Sequence, residues 1–282
     1  MNYQWYPGHM TKAVRMMQEN IKLIDLIIEI VDARVPLSSR NPDIDELGKN
    51  KSRLILLNKA DLADDKATDA WVQYFQEKGI GTVKVNSRKG GGLKSIHGAI
   101  AKACKEKTER DRKRGILNRP DRAMVAGIPN VGKSTFINSL AGKACTKTGN
   151  KPGVTKGKQW IKLNKNVELL DTPGILWPKF EDQSIALKLA FIGSIKDEIM
   201  NRDDLAAELI GTLKKYYPGS LAAKYEIEEL DNSYDCLTEI AKSRHCLLKG
   251  NELDISKAAL LLLDDFRNGK LGRMSLEFAE EV

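Results

Sequence analysis

Cysteine is scarce in this chain of 282 residues, with thiols only at Cys104, Cys145, Cys236 and Cys246. The four form no C-x-x-C pair, and their spacing suits neither a zinc site nor a disulfide framework. The sequence therefore predicts reduced thiols and excludes the small disulfide-stapled class of secreted domains. We expect a cytoplasmic protein.

Long apolar runs are also lacking. No stretch of about 18 apolar residues occurs, and the N-terminal "MNYQWYPGHM" has neither the basic flank nor the apolar core of a secretion signal. We therefore expect no membrane span and no membrane partner. Apolar residues at 41% and charged residues at 30% are typical of a globular protein, and the length favours two domains.

Acidic residues are depleted in one part of the chain. Residues 178–282 carry 14 Lys and Arg against 20 Asp and Glu, a net charge of −6, whereas residues 1–177 have a net charge of +14. Fixed positive charge attracts phosphate backbones through counterion release. The first part is thus predicted to meet a polyanion, and the alternative is a lysine-rich surface that faces only solvent.

Apolar runs alternate with helical periodicity up to about residue 177, and only helical patterns follow. This predicts a doubly wound α/β domain with a mostly parallel sheet at residues 1–177 and a smaller all-α domain at 178–282. Helices are expected at 10–24, 66–78, 93–107 and 132–141, strands at 26–33, 81–87 and 123–127, a strand that runs into a loop within 53–61, a charged connector at 108–121, and a hairpin around 164–166.

The stretch "GIPNVGKST", residues 127–135, fits the phosphate-loop pattern G-x-x-x-x-G-K-[ST]. Backbone amides at a helix N-terminus favour phosphate oxygens. Lys133 is expected to reach the β and γ phosphates as the catalytic cation, and Ser134 to ligate Mg²⁺. After an apolar strand, "DTPG" adds Asp171 for the metal and the Gly174 amide for the γ-phosphate. The nucleotide contacts expected from the loop itself are Asn130, Val131, Gly132, Lys133, Ser134 and Thr135.

A second motif, "NKAD", also follows an apolar strand. The Asp61 carboxylate can accept protons from guanine N1–H and N2–H₂, which adenine does not present in that arrangement, so the site should reject ATP. Lys59 is expected along the base plane, beside Asn58, and Ser87 of "NSRKG" near the guanine carbonyl. The motif alone is compatible with an ordinary surface loop. Together with the phosphate loop it predicts a GTP/GDP site.

These motifs stand in an unusual order, with the base-specificity loops first, the phosphate loop second and the metal loop last. Such an order is tolerated when the old chain ends lie close together, because loop-closure entropy grows slowly with length. The motifs "WYPGHMTKA", "VDARVPLSSRNP", "LNKADL", "GIPNVGKSTFINSL", "GVTKG" and "LLDTPGIL" resemble the circularly permuted ribosome-assembly GTPases, in particular the bacterial ribosome biogenesis GTPase A family. The connector at 108–121 is then the joint between the old ends.

The resemblance covers essentially the whole chain and implies a function. It implies GTP hydrolysis, with Mg²⁺, in late assembly of the large ribosomal subunit, with that subunit and its rRNA as partners. We expect no DNA partner and a monomer, although the sequence leaves the oligomeric state open. The resemblance also implies RNA contact by the C-terminal helical domain. Because that domain is acidic here, RNA contact is expected to depend more on the basic first domain. A switch that feeds directly into the helices is expected to reorient them when the γ-phosphate is lost.

A glutamine that orients the attacking water is missing after "DTPG", where Ile175 stands. Hydrolysis is therefore expected to be slow unless another group helps. His9, in a motif of the family, is one candidate, with a structural role at a helix start as the alternative. Asn130 is another, since related "PNVGKS" loops use this residue to bind K⁺, which stabilises charge between the phosphates; otherwise it supports the turn.

Acid is again lacking at residues 143–162, which carry six lysines and contain Thr155, the candidate Mg²⁺ ligand of the first switch. RNA that bound these lysines would order Thr155 and raise turnover. The alternative is a charged, flexible loop. Asp32 and Arg34 of "DARVP" form either a phosphate contact or a structural ion pair.

Two other functions fit the same residues. One is a GTPase of translation or RNA modification that acts on mature ribosomes or tRNA. The other is a nucleotide-gated RNA-binding module whose hydrolysis is incidental, a reading that Ile175 favours.

Overall fold

The computed structural model describes residues 8–117, 119–146, 159–177, 182–195 and 200–282, with the side chain of His9 excepted. Its contacts group the chain into two compact units. One comprises Met1–Glu181 together with Glu277–Val282, and the other is Asp182–Leu276. The division lies four residues after the expected boundary, and the last six residues group with the first unit rather than with the helices.

A six-stranded sheet forms the centre of the first unit in the order β3-β2-β1-β4-β6-β5. All neighbouring pairs are parallel except β5 with β6. The doubly wound α/β class and the hairpin around residue 165 are thereby confirmed. The strands are β1 Leu26–Asp32, β2 Ser52–Asn58, β3 Gly81–Lys84, β4 Asp121–Ala126, β5 Gln159–Lys162 and β6 Val167–Asp171.

Strand β1 has all seven residues buried, as expected for a central parallel strand covered on both faces. Its one acid within the apolar run, Glu29, is also fully buried. Arg40 and Arg53 approach the Glu29 carboxylate at 3.1 Å and 2.8 Å, so the buried charge is compensated. The sheet centre therefore tolerates a carboxylate because two cations accompany it.

Helices of the first unit are α1 Gly8–Asn20, α2 Asp43–Leu47, α3 Asp65–Glu77, α4 Leu93–Ala103, α5 Lys105–Lys113 and α6 Lys133–Ala141. The Asp64 side chain caps α3 by accepting a hydrogen bond from the Ala67 amide. Trp71 and Phe75, one turn apart on α3, pack against the buried ends of β1 and β2. Within the described ranges, every helix is too short or too polar to cross a bilayer.

The expectation of a single helix at 93–107 followed by a connector was wrong. Helix α4 ends at Ala103, and the charged segment forms a helix of its own, α5. Lys107 on α5 lies 3.0 Å from the Asp121 carboxylate at the start of β4 and 3.4 Å from Asp111. This ion-pair network, which lies at the amino ends of β1 and β4, fixes a helix that has no apolar face.

The second unit is helical throughout its described residues, with α7 Gln183–Phe191, α8 Arg202–Tyr216, α9 Ser220–Tyr225, α10 Ser233–Ser243 and α11 Ile255–Arg267. Asn201, Asn232 and Asp254 cap the amino ends of α8, α10 and α11 through their side chains. The three helices pack on one another through buried leucine, isoleucine and alanine side chains. The unit therefore has an apolar core of its own.

Glu277 begins the segment that groups with the first unit. Its carboxylate accepts hydrogen bonds from the Leu37 amide at 2.8 Å and from the Ser38 amide and hydroxyl. The Trp71 indole donates to the Glu277 carbonyl at 3.1 Å. Ala279 packs against the cluster that contains Trp71. Residues 277–282 are therefore a structural part of the first unit, which we call the C-terminal clasp.

Candidate functional site

The parallel strands end at one edge of the sheet, where their loops meet. In register, Asp32 of β1 pairs with Asn58 of β2, and Val125 of β4 pairs with Asp171 of β6. The loops that follow these four strands carry the sequence motifs. Ligands of open α/β sheets bind outside the carboxyl ends of the strands, so this edge is the candidate site.

The predicted phosphate loop connects β4 to α6. Gly132 has φ of +97° immediately before Lys133 begins the helix. A β-carbon on Gly132 would lie 2.4 Å from the Asn58 side-chain nitrogen, so both the backbone and the space require glycine. Asn130 also has positive φ, and Val131 is buried. Ser134 and Thr135 lie in the first turn of α6, half-buried.

Lys133 folds back over this loop. Its ammonium donates hydrogen bonds to the carbonyls of Gly127 at 2.9 Å and Ile128 at 2.6 Å. Burial lowers the pKa of Lys133 to about 8, against the opposing charge of Asp171. A phosphate at the loop would provide the negative charge that this buried cation favours.

Asp171, the last residue of β6, is 1% exposed. Among the residues that the structure describes, neither carboxylate oxygen has a hydrogen-bond partner, which is uncommon for a buried charge. Burial raises the pKa of Asp171 to about 6, although the charge of Lys133 opposes the shift. A divalent cation would satisfy both oxygens, so this residue fits the predicted role in holding Mg²⁺.

The "DTPG" loop presses against the phosphate loop at Gly174. A β-carbon there would lie 2.8 Å from Pro129 and 2.9 Å from the Lys133 ammonium, so only glycine fits. The following residue, Ile175, is 3% exposed, and its amide donates to the Gly127 carbonyl at 3.4 Å. Its side chain therefore packs into the protein and has no polar atom for a water.

Asn58 joins three loops of the site. Its side-chain amide donates to the Val131 carbonyl at 2.7 Å, while its carbonyl oxygen accepts from the Ser87 amide and hydroxyl at 3.1 Å and 2.8 Å. Ser139 on α6 in turn donates to the Ser87 carbonyl at 2.6 Å. Asn58 was predicted as a nucleotide contact; in the structure its side chain fixes the base loops relative to the phosphate loop.

Lys59 and Asp61 follow β2 in a tight turn, in which the Leu62 amide donates to the Lys59 carbonyl. Lys59 has φ of +59°, and its ammonium lies 2.8 Å from the Asp32 carboxylate. Asp32 also pairs with Arg34 at 2.9 Å in full burial. Of the two roles open to "DARVP", the structure shows the structural ion pair. Burial acts to raise the pKa of Asp32, but Arg34 and Lys59 hold it well below its ordinary value.

Two predicted residues are not placed. Thr155 lies outside the described residues, and His9 belongs to α1 with its side chain outside the description. Two others were missed by the sequence reasoning. Asn41 is 2% exposed and donates from its side chain to the Ile175 carbonyl at 3.2 Å. Glu277 holds the same loop through Leu37 and Ser38. Motif spacing gave no signal for either, apart from the position of Asn41 in "SSRNP".

Comparison with known proteins agrees with this geometry. A family model described as "50S ribosome-binding GTPase" matches residues 122–233. Ribosome biogenesis GTPase A of Bacillus cereus is 50% identical over 282 residues, covering 100% of this chain and 95% of that protein. The protein of the same name from Thermotoga maritima is 32% identical over 278 residues, covering 99% and 95%.

A solved structure shares the architecture. GNP-bound YlqF from T. maritima superposes with a TM-score of 0.69 at 29% identity, covering 96% of this chain and all of that chain. The matches cover nearly the whole length of this chain and of each relative. They therefore include the motifs in their unusual order. With the three motif loops gathered at one sheet edge and relatives that match over their full length, this chain belongs to the ribosome biogenesis GTPase A family of P-loop GTPases.

Proposed function

We propose that this GTPase acts in late assembly of the large ribosomal subunit, hydrolysing GTP slowly by itself and faster when bound to that subunit or its rRNA. The burial of Ile175 at the position of the water-orienting residue carries the proposal. Because Ile175 offers no polar atom to a water and the described part of the site has no other group at that position, we infer that a partner orders part of the catalytic machinery.

The proposed contacts follow the geometry above. Asn130, Val131, Gly132, Lys133, Ser134 and Thr135 with Gly174 would hold the phosphates, and Lys59, Asp61 and Ser87, positioned by Asn58, would hold guanine. Mg²⁺ would be bound by Ser134, Thr155 and Asp171, and it neutralises charge that develops on the phosphates. The Asp171 carboxylate, which has no hydrogen-bond partner within the described part of the chain, supports this set.

Two groups are proposed to compensate for Ile175. Asn130, held at positive φ inside the loop, would help bind K⁺ beside the phosphates. His9 would position the water if the start of α1 lies near the switches. The two proposals make different predictions, since only the first makes turnover depend on the monovalent cation.

The partner is inferred from charge and from the relatives. Residues 1–177 carry a net charge of +14, and six lysines surround Thr155 in the sequence. The matching family is named for binding the 50S ribosome, and the relatives for ribosome biogenesis. RNA that neutralised these lysines would order Thr155 around Mg²⁺. Residues 1–177 would be the GTPase domain, and the acidic helices at 178–282 a secondary contact.

GTP turnover in K⁺ and in Na⁺, with and without purified large subunits at fixed ionic strength, tests the proposal. We expect large subunits to raise turnover at least tenfold and small subunits to have little effect. Restriction of the rise to K⁺, and its loss in Asn130→Ala, would support the cation site. Equal turnover with and without large subunits would contradict the proposal.

Ile175, which has no polar atom to orient a water, also favours a second candidate function. In a nucleotide-gated RNA-binding module, GTP binding alone would suffice. A variant that binds GTP without hydrolysing it, such as Thr155→Ala, would then still support subunit assembly in cells. Failure of assembly with normal subunit binding would favour the hydrolytic function.

A further inference from the structure

The outer strand β5 carries an unusual surface at the end of the sheet away from the nucleotide loops. Arg122 of β4, Glu168 of β6 and Lys162 of β5 pair in register across three strands, so their side chains share one face. Trp160 lies two residues before Lys162 and therefore on the same face of β5. One aromatic ring and two cations are thus brought together at a sheet edge.

These side chains border an open cavity. Its volume is about 320 Å³, and it is lined by Leu23, Arg122, Trp160, Ile161, Lys162 and Glu168. The Trp160 side chain is 37% exposed, and Leu23 is 46% exposed. An exposed tryptophan on an edge strand leaves apolar area in water, which a bound partner would cover.

Arg122 is held in a defined position within this cavity. Its Nε donates to the Glu168 carboxylate at 3.1 Å, and its guanidinium carbon lies 5.4 Å from the centre of the Trp160 ring. The planar guanidinium and the indole therefore form a preformed platform. Lys162 stays exposed at its border, and Lys165 is exposed in the turn that follows β5.

We propose that this cavity binds an unpaired base of single-stranded RNA. The base would stack on the Trp160–Arg122 platform, with its backbone phosphate near Lys162. Aromatic rings beside cations are the means by which proteins bind unpaired bases, and stacking tolerates any sequence. The exposed lysines at the cavity border favour a phosphate over a basic ribosomal protein, because the one lining carboxylate, that of Glu168, is already paired with Arg122. The inference rests on the proposed function, since it names a place where the RNA partner would be held.

The test compares variants of the full chain for binding to a labelled 12-nucleotide oligoadenylate and to purified large subunits. Trp160→Ala should weaken oligoadenylate binding about tenfold, while Trp160→Phe, which keeps a ring, should stay within about threefold of the unchanged protein. Lys162→Glu, at an exposed position that leaves the core intact, should weaken binding several-fold and reduce its salt dependence. Binding to a blunt RNA duplex should not change in Trp160→Ala.

Tyr234→Ala provides the matched control, because Tyr234 is an aromatic residue that is 48% exposed on α10 of the other unit. It should bind oligoadenylate as the unchanged protein does, and Trp160→Ala, Trp160→Phe and Tyr234→Ala should all keep the unstimulated GTP turnover. Equal binding by Trp160→Ala, or no oligoadenylate binding at all by the unchanged protein, would overturn the inference. So would a loss of subunit binding without a loss of oligoadenylate binding, since the surface would then contact protein. If oligoadenylate binding depended on Trp160 but large subunits did not raise GTP turnover, only the proposed function would be overturned.

Discussion

Asp61 is the residue to which the proposed site owes its preference for guanine. Asp61→Asn replaces an acceptor of two protons by an amide that accepts at one atom and donates at the other. We expect GTP affinity to fall about 100-fold or more, because a donor of the base loses its partner. Xanthosine triphosphate, with a carbonyl in place of the amino group, should bind better than before. Fluorescent-nucleotide titration measures both, and the exposed Asp65→Asn serves as the control.

The stability of the folded protein at acid pH depends in part on the buried carboxylate of Asp32. Its pKa in the folded protein is depressed below the ordinary 3.8, so the stabilisation is complete above about pH 4 and is lost as the pH falls further. Asp32→Asn leaves Arg34 and Lys59 without their anion and should lower the free energy of unfolding at pH 7 by about 3 kcal/mol. The difference from the unchanged protein should narrow below pH 4.

Denaturant unfolding at pH 7 and pH 3.5 measures this difference. The control is Asp69→Asn, since Asp69 pairs with Lys84 at the surface with 66% of its side chain exposed. That change should cost less than about 1 kcal/mol. If the difference in free energy of unfolding between Asp32→Asn and the unchanged protein were the same at both pH values, the depressed pKa of Asp32 would not be the source of this stability.

Residues within a motif could be predicted because their spacing is local. Lys133 follows Gly132 in sequence, so the phosphate-loop pattern identifies both residues at once. The partners of Asn58 and Asn41 could not be predicted in the same way. Asn58 donates to Val131, 73 residues away, and Asn41 donates to Ile175, 134 residues away. Only the folded sheet brings these atoms together, so motif spacing contains no trace of them.

At the scale of elements, helix α5 depends on charge rather than on apolar packing. Lys107 is 7% exposed and contacts the carboxylates of Asp25, Asp111 and Asp121. Lys107→Met would leave three neighbouring carboxylates without this cation, so we expect the free energy of unfolding to fall by about 3 kcal/mol. Denaturant unfolding gives the value.

Lys105→Met is a control on the same helix. Lys105 is exposed and lies 3.9 Å from Glu109, so its removal should change stability by less than about 0.5 kcal/mol. Similar losses in the two variants would show that α5 is not anchored through Lys107.

The same helix shows what elements the sequence could and could not predict. Strands β1 and β2 and helix α3 carry apolar patterns of strand or helix period, and they were predicted within a few residues. Helix α5 has no apolar periodicity, so its composition resembled a connector. Its helical structure follows from partners on β4 and before β1, which appear only when the sheet is assembled.

At the scale of the whole molecule, the C-terminal clasp completes the first unit. Glu277→Ala removes the acceptor for the Leu37 and Ser38 amides. We expect these two amides to exchange hydrogen about tenfold faster, because their opening loses one charge-assisted contact. Hydrogen-exchange measurements that resolve residues 33–41 provide the test. Glu280→Ala, an exposed residue of the same clasp, should leave the rates unchanged.

If Glu277→Ala raised amide exchange rates only in the second unit, the packing of the C-terminal clasp on the first unit would be contradicted. The sequence placed residues 277–282 with the helices because charge and helical pattern continue to the end of the chain. Neither charge nor helical pattern indicates that residues 277–282 pack with the first unit, from which residues 182–276 separate them in sequence. Whole-molecule connectivity was therefore the part of the fold least visible in the sequence.

The return of the clasp also fixes an order of events during translation. Residues 1–181 leave the ribosome before the 182–276 unit has been made, and Glu277 is synthesised after both. The nascent first unit therefore begins to fold with the amides of Leu37 and Ser38 still without their carboxylate, while Asn41 and the Arg40–Glu29 ion pair can already hold the loop that reaches Ile175. The loop behind the nucleotide site is fully anchored only once synthesis has passed residue 277.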